Sequence, residues 1–293
     1  MYASSNDHTT IMSSNIEEFR QVLSSSKKII ILSGAGLSVA SGIPTFRGTG
    51  CLWRKYDAAS LATASAFAEN QARVWQFFHY RRGQVLNTTP NAAHFVIARL
   101  AIPRIRQSIS PNSEFTHITQ NIDGLCTRAL KETMKDLQET DVPYPIEMHG
   151  RLFDVVCTAH DCDFHETDYN SPICPALKGT ELMIEAGGPE PVVRRSDLPR
   201  CPKCGQLCRP GVVWFGERPH RIHEIMQLAD EVDLCIIVGT SAVVQPASKI
   251  GGRVKAHGGK VALFNVELGN HADEADFVFL GPCEERLVEV FGI

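Results

Sequence analysis

Two kinds of apolar pattern alternate along the chain. The first is short and unbroken. Ile29-Ile30-Ile31-Leu32 follows two lysines and is stopped by Gly34, and it predicts a buried strand over residues 28–33. Phe115 to Thr119, Leu234 to Val238 and Val261 to Val266 predict further strands. The second pattern places apolar residues at helical spacing. It predicts helices over residues 16–26, 65–86 (Phe67, Trp75, Phe78, Val85), 91–101 and 284–291. Strands that are apolar on both faces, with helices between them, are the signature of a parallel sheet covered on both sides. The fold class expected is therefore α/β, a doubly wound parallel sheet. Residues 152–212 break the alternation. They hold six of the ten cysteines and seven of the sixteen prolines, and they predict an excursion from the sheet.

Composition narrows the function classes. The chain has 293 residues, 43% of them hydrophobic and 21% charged, with a net charge of −4. That is long enough to bury a large core without disulfides. No apolar run reaches the length of a membrane span, so no membrane partner is expected. The absence of a global basic excess argues against nucleic acid. The first fifteen residues are polar and Ser-rich, lack the apolar core of a signal peptide, and predict a disordered leader.

Several motifs carry candidate chemistry. Gly34-Ala35-Gly36-Leu37-Ser38 follows a strand and opens a small-residue helix, a context in which backbone N–H groups can hold a pyrophosphate. A tight structural turn is the alternative. Thr45-Phe46-Arg47, just after Pro44, suggests a segment that closes over a ligand. Gln120-Asn121-Ile122-Asp123 ends a strand, where ligands of open α/β sheets bind, and its amide and carboxylate suit a carboxamide. His149, beside Gly150, is a candidate general base. Gly239-Thr240-Ser241 and Asn265-Val266-Glu267 end two later strands, where an adenosine ribose would lie. Cys283 can line an adenine. Cys157, Cys162, Cys201 and Cys204 form two pairs that fit one tetrahedral Zn2+, and four thiolates leave no open position, so the ion reads as structural. His160, His165 and Cys208 lie near enough in sequence to replace a ligand.

Taken in order, GAGLSVASGIPTFRG, TQNID, EMHG, the two cysteine pairs, VVWFGE, GTS and FNVE resemble the sirtuins over roughly residues 20–293. The resemblance implies a Rossmann-like NAD-binding domain built from residues 16–48, 96–151 and 213–293. A helical part of a small domain would span 49–95, and a zinc-binding module would span 152–212. It implies an NAD-dependent protein-lysine deacylase, with Asn121 and Asp123 holding the nicotinamide amide and Phe46 and Arg47 closing over it. His149 would be the general base. The products would be free lysine, nicotinamide and 2′-O-acyl-ADP-ribose. An acyl-lysine protein or peptide would add as a strand against Val213-Trp214-Phe215-Gly216-Glu217.

Within the family the chain is similar to the class III type, which removes succinyl, malonyl and glutaryl groups. In that class a Tyr, and an Arg three residues later, hold the acyl carboxylate, and a small Ala widens the pocket. Those positions fall on Phe78, Arg81 and Ala62. Phe78 keeps the wall but lacks the hydroxyl donor. The alternatives are a deacetylase with weakened acidic-acyl preference and a mono-ADP-ribosyltransferase. Repositioned Tyr80 could restore a hydroxyl, but adjacent helical residues point about 100° apart, which disfavours it. The family further implies a monomer. It suggests a mitochondrial location, with cytoplasm and nucleus as alternatives.

Overall fold

The computed structural model describes residues 12–45, 52–185, 189–271 and 273–293. In chain order its strands are β1 (Lys28–Ser33), β2 (Leu52–Trp53), β3 (Tyr56–Asp57), β4 (Glu114–Thr119), β5 (Ile146–Glu147), β6 (Gly150–Cys157), β7 (His165–Thr167), β8 (Cys208–Val212), β9 (Leu234–Val238), β10 (Lys260–Asn265) and β11 (Phe277–Leu280). Its α-helices are α1 (Ile16–Ser25), α2 (Ala58–Leu61), α3 (Ala64–Glu69), α4 (Gln71–Leu86), α5 (Ala92–Ala101), α6 (Pro103–Ile109), α7 (Leu125–Leu137), α8 (Thr180–Glu185), α9 (Ile222–Glu231), α10 (Ile250–Ala256) and α11 (Cys283–Phe291).

Six strands form one parallel sheet in the order β11-β10-β9-β1-β4-β5. Strand order reverses on the two sides of β1, which is the doubly wound Rossmann arrangement. Alternate side chains feed two cores. Ile29, Ile31, Leu234, Ile236, Ala262 and Phe264 pack on the face covered by α1, α5 and α11. Ile30, Leu32, Cys235, Ile237, Val261 and Leu263 pack on the face covered by α9 and α10. This is why those strands show no polar alternation.

The excursion is a three-stranded antiparallel sheet, β7-β6-β8. It shares a core with α4, in which Trp75, Phe77, Phe78, Leu177 and Trp214 are buried. Arg82 is 1% exposed there. It donates to the carbonyls of Leu152 at 3.2 Å, Asp168 at 2.5 Å and Asn170 at 2.9 Å, tying α4 to the loop that follows β7. Burial lowers its pKa to about 10, so it remains charged at neutral pH.

Three local differences from the sequence reading have physical causes. The helix expected over 65–86 is two helices, because Asn70 leaves helical geometry and its side chain caps α4 by accepting from the Arg73 N–H. The small-residue helix after Gly34 is a 3₁₀ coil, Ala35–Ser41. Its Leu37 carbonyl, the acceptor an α-helix would offer Ser41, is taken by the Asn91 amide at 2.8 Å. The end of the expected leader is ordered. The Ser13 N–H donates to the Asp276 carbonyl and its own carbonyl accepts from the Val278 N–H, both at 2.9 Å, while Asn15 caps α1.

Candidate active site and zinc centre

The ends of β1 and β9 meet at the switch point. The Gly34 N–H bonds the Val238 carbonyl at 2.9 Å, and the Gly36 N–H bonds the Gly239 carbonyl at 2.8 Å. Gly239 has φ +59, and a Cβ there would lie 2.4 Å from the Leu37 nitrogen. Only glycine fits that crossing. The Gly34-to-Gly36 turn is thus fixed by backbone contact, with Ala35 half-buried beside it.

Behind the turn lies a buried polar cluster. Asn121, 8% exposed, donates to the Gly34 carbonyl at 3.0 Å and to Ser38 Oγ at 3.1 Å. Ser38 in turn donates to Asp123 Oδ2 at 2.8 Å, and the Leu125 N–H donates to Oδ1 at 2.9 Å. Burial pushes the Asp123 carboxyl up from its ordinary range. The Leu125 amide, the Ser38 hydroxyl and the Arg81 charge oppose that shift. His94 completes the cluster, a residue the motif reading missed. Its Nδ1 accepts from the Asn91 N–H, which leaves Nε2–H to face Ser38 Oγ at 3.4 Å. Burial holds His94 neutral, with a pKa of about 3. The sequence signal available was the capping pattern Asn91-x-x-His94. Ile122 packs against the small-module core.

His149 is tied to the same strand end. Its Nδ1 lies 3.0 Å from the Gln120 carbonyl, which can only accept. That fixes the proton on Nδ1 and leaves Nε2 as the basic nitrogen. Burial, opposed by the Gln120 hydrogen bond and reinforced by His220, lowers its pKa below the usual 6.5. Gln120 also donates to Thr240 Oγ1 at 3.2 Å. Asn265 donates to the Thr240 carbonyl at 3.2 Å, joining the ends of β9 and β10. Ser241, Val266 and Glu267 are exposed at this end, while Cys283 is buried with Sγ toward the Phe264 carbonyl. Thr45 is half-buried at the other end. Phe46 and Arg47 lie outside the described residues.

The segment after β8 is held by a clamp. Arg209 grips Glu217 with two bonds of 2.6 and 2.8 Å, and its guanidinium stacks 3.6 Å over the Trp214 ring. Glu217 also accepts from the Trp214 N–H at 2.9 Å. The Val213 N–H bonds the His149 carbonyl and the Phe215 N–H bonds the Ala62 carbonyl, so the segment joins His149 to the end of α2. Gly216 turns with φ +91. Phe78 is 1% exposed and packs on Phe77, within the same core as Ala62. Arg81 donates to the Pro44 carbonyl at 3.2 Å, which places its guanidinium beside the Gly-rich turn. Burial lowers its pKa, and the charge of Asp123 opposes that. Tyr80 and Arg81 share a hydrogen-bond partner. Gln84, one turn on, accepts from Arg81 Nη1 at 3.4 Å and donates to the Tyr80 hydroxyl at 3.2 Å.

The four expected cysteines converge. Cys157 ends β6, Cys162 lies in the following turn, and Cys201 and Cys204 precede β8. All four sulfurs lie within 4.8 Å of one another, with Cys157 3.4 Å from Cys204 and Cys162 3.6 Å from Cys201. Tetrahedral Zn–S bonds of about 2.3 Å place sulfurs roughly 3.8 Å apart, so the set fits zinc. The Ala159 N–H donates to Cys157 Sγ at 3.3 Å, as expected for a thiolate. The alternative ligands are elsewhere. His160 pairs with Asp161, His165 bonds Asp154, and Cys208 is buried with its carbonyl accepting from Trp75.

A strand end with a buried amide–carboxylate pair, and an imidazole held on the neighbouring carbonyl, marks a nucleotide-dependent enzyme site of the Sir2 family. Residues 34–246 match that family, and the chain belongs to it. Among its relatives, the "NAD-dependent protein deacylase sirtuin-5, mitochondrial" of Canis lupus familiaris is 42% identical over 286 residues, covering 94% of this chain and 85% of the relative. The "NAD-dependent protein deacylase" of Daphnia pulex is 40% identical, covering 94% and 95%. Among solved structures, a Sir2 homolog–NAD complex superposes with a TM-score of 0.77 at 32% identity, covering 98% of this chain and 97% of that one. A Sir2 homologue mutant with 2′-O-acetyl ADP ribose gives 0.75 at 33%, covering 94% and 95%.

Two outcomes follow from the site. Cys201→Ser should lose the zinc, seen as a drop from one equivalent in metal analysis, and should lower soluble yield; a stable metal-free protein would refute a structural ion. Arg209→Lys keeps the charge but loses the fork. It should raise the peptide KM roughly tenfold, the worth of one charge-assisted bond, while the KM for NAD, zinc content and Tm hold.

Proposed function

We propose that the protein is an NAD-dependent lysine deacylase that prefers acidic acyl groups (succinyl, malonyl and glutaryl) on protein or peptide substrates. The observation that carries the reading is the fixed tautomer of His149, held on the carbonyl of Gln120, the residue before Asn121 and its buried cluster with Ser38 and Asp123. NAD supplies an electrophilic ribose carbon and a nicotinamide leaving group. The residues that would hold it are Gly34, Ala35, Gly36, Ser38 and Thr45, with Gln120, Asn121, Ile122 and Asp123 around the nicotinamide end. At the adenosine end they are Gly239, Thr240, Ser241, Asn265, Val266, Glu267 and Cys283. Phe46 and Arg47 belong to the same set by resemblance. His149 Nε2 accepts a proton from a ribose hydroxyl, and the Gln120 carbonyl steadies the imidazolium that results. Asp123, within the buried cluster, places Asn121 rather than exchanging protons with solvent.

The peptide would lie along Val213, Trp214, Phe215, Gly216 and Glu217, its backbone bonded as an added strand. A neighbour solved with NAD and a p53 peptide is consistent with such use, at 26% identity and a TM-score of 0.71. Arg81 would pair with the acyl carboxylate, with Ala62 and Phe78 as walls. Relatives carry a mitochondrial name, and we extend that compartment to this chain. We take the working form to be a monomer, by the same resemblance.

A second reading rests on Phe78. A wall without a hydroxyl forfeits one charge-assisted hydrogen bond, about 1.5–3 kcal/mol or roughly 10–150-fold in acidic-acyl preference. The test is kcat/KM on one peptide bearing succinyl-, malonyl-, glutaryl- or acetyl-lysine. Acidic groups should win, and Phe78→Tyr should widen the margin within that range. Equal or better acetyl turnover would replace this reading with a deacetylase.

The pH profile tests the base. Burial disfavours the charged imidazole, so His149 stays neutral to a lower pH than a free histidine. The acid limb of kcat/KM should therefore fall below pH 6.5, the ordinary histidine value. His149→Ala should abolish turnover while NAD still binds.

A further inference from the structure

A cleft of about 980 Å³ opens against the Val213–Glu217 segment, between α7 and the β6-β7-β8 sheet. Its lining includes Val213 and Glu217 but none of the Gly-rich turn, the Gln120–Asp123 strand end or His149. Its volume is at the upper end for small-molecule sites.

Donors and acceptors in this cleft are out of balance. The three lining carboxylates are already engaged. Asp154 accepts from Arg151, His165 and Thr167. Glu217 accepts from both Arg209 nitrogens and from the Trp214 N–H. Glu147 accepts from Thr127 at 2.9 Å and lies 3.6 Å from Arg151. Of the four lining cations, Arg209 and Arg151 are paired with these carboxylates, and the other two are not. Among the described residues, Lys131 meets only the Tyr144 ring at 5.8 Å, and Arg218 has no hydrogen bond or ion pair. Arg151 spends Nε on Asp154 and Nη2 on Thr167, and keeps Nη1. Three separate walls therefore present charged N–H groups to a space whose acceptors are used up: α7, β6 and the loop after β8. A metal cation finds no free carboxylate there. A single-charge anion can meet only one wall.

We propose that this cleft binds a small polyanion carrying two or more phosphate or carboxylate groups, held by Lys131, Arg151 and Arg218. The bound anion lies against the Arg209–Glu217 clamp and competes with Glu217 for the guanidinium fork. Occupancy therefore loosens the peptide-binding segment.

The test uses the zinc-loaded full chain with ADP-ribose present at saturation, so that the nucleotide crevice is closed to the probe. Calorimetric titration at low salt with inorganic triphosphate, and separately with citrate, should show saturable binding at one site per chain. The Lys131→Ala/Arg218→Ala double variant, altered only at exposed positions, should weaken it at least tenfold. The tighter of the two probes identifies the source as phosphate or carboxylate. No saturable binding, or binding unchanged in the double variant, overturns the site. The kinetic half rests on the deacylase reading, whereas the binding half does not. Saturating anion should raise the peptide KM severalfold at constant NAD KM, and binding without that rise would remove the coupling to Arg209.

Discussion

The contact on which the rest depends is the backbone crossing of β1 and β9. Two chain segments far apart in sequence touch at Gly36 and Gly239 with no side chain between them. That closeness sets where the Gly-rich turn can go. It also leaves the Gly34 carbonyl facing inward, where Asn121 takes it. From there Ser38, Asp123 and His94 are positioned in succession, each satisfying the last. A bulkier residue at the crossing would move backbone, and every partner would shift with it.

Because this cluster is buried, its electrostatics are unlike those of a surface site. Two histidines, His94 in the cluster and His117 on Ser33, are held neutral with pKa values of about 3, and burial raises the Asp123 carboxyl against its hydrogen bonds and the Arg81 charge. Charge is concentrated instead at the edges, in Arg81 beside Pro44 and in the Arg209–Glu217 pair. The interior therefore supplies oriented dipoles, and the charged groups lie at its edges. Preorganised dipoles of this kind need no rearrangement as charge develops.

Much of this was legible in the sequence, for identifiable reasons. The strands of the large sheet are apolar on both faces, so their runs stand out, and the cysteine spacings name their own metal. The glycine turn and the strand-end polar residues also declare themselves by position. What was hidden depends on tertiary contact. Asn91 reaching the Leu37 carbonyl turned an expected helix into a 3₁₀ coil. Asn70 split a pattern that periodicity alone ran together. Gln84 gives Tyr80 and Arg81 a common partner, although adjacent helical residues diverge. The Arg209–Glu217 clamp joins residues eight apart across a turn, and no local pattern announces it.

The bridge from Ser13 covers the β11 edge of the large sheet. An uncovered edge strand offers its N–H and C=O groups to any passing strand, which is a route to aggregation. Here Ser13 occupies Asp276 and Val278 at that edge. Truncation that stops before Ser13 leaves the cover in place. A truncation that removes Ser13 and Asn15 strips the edge and uncaps α1 together, so this short segment guards against aggregation as well as closing the sheet.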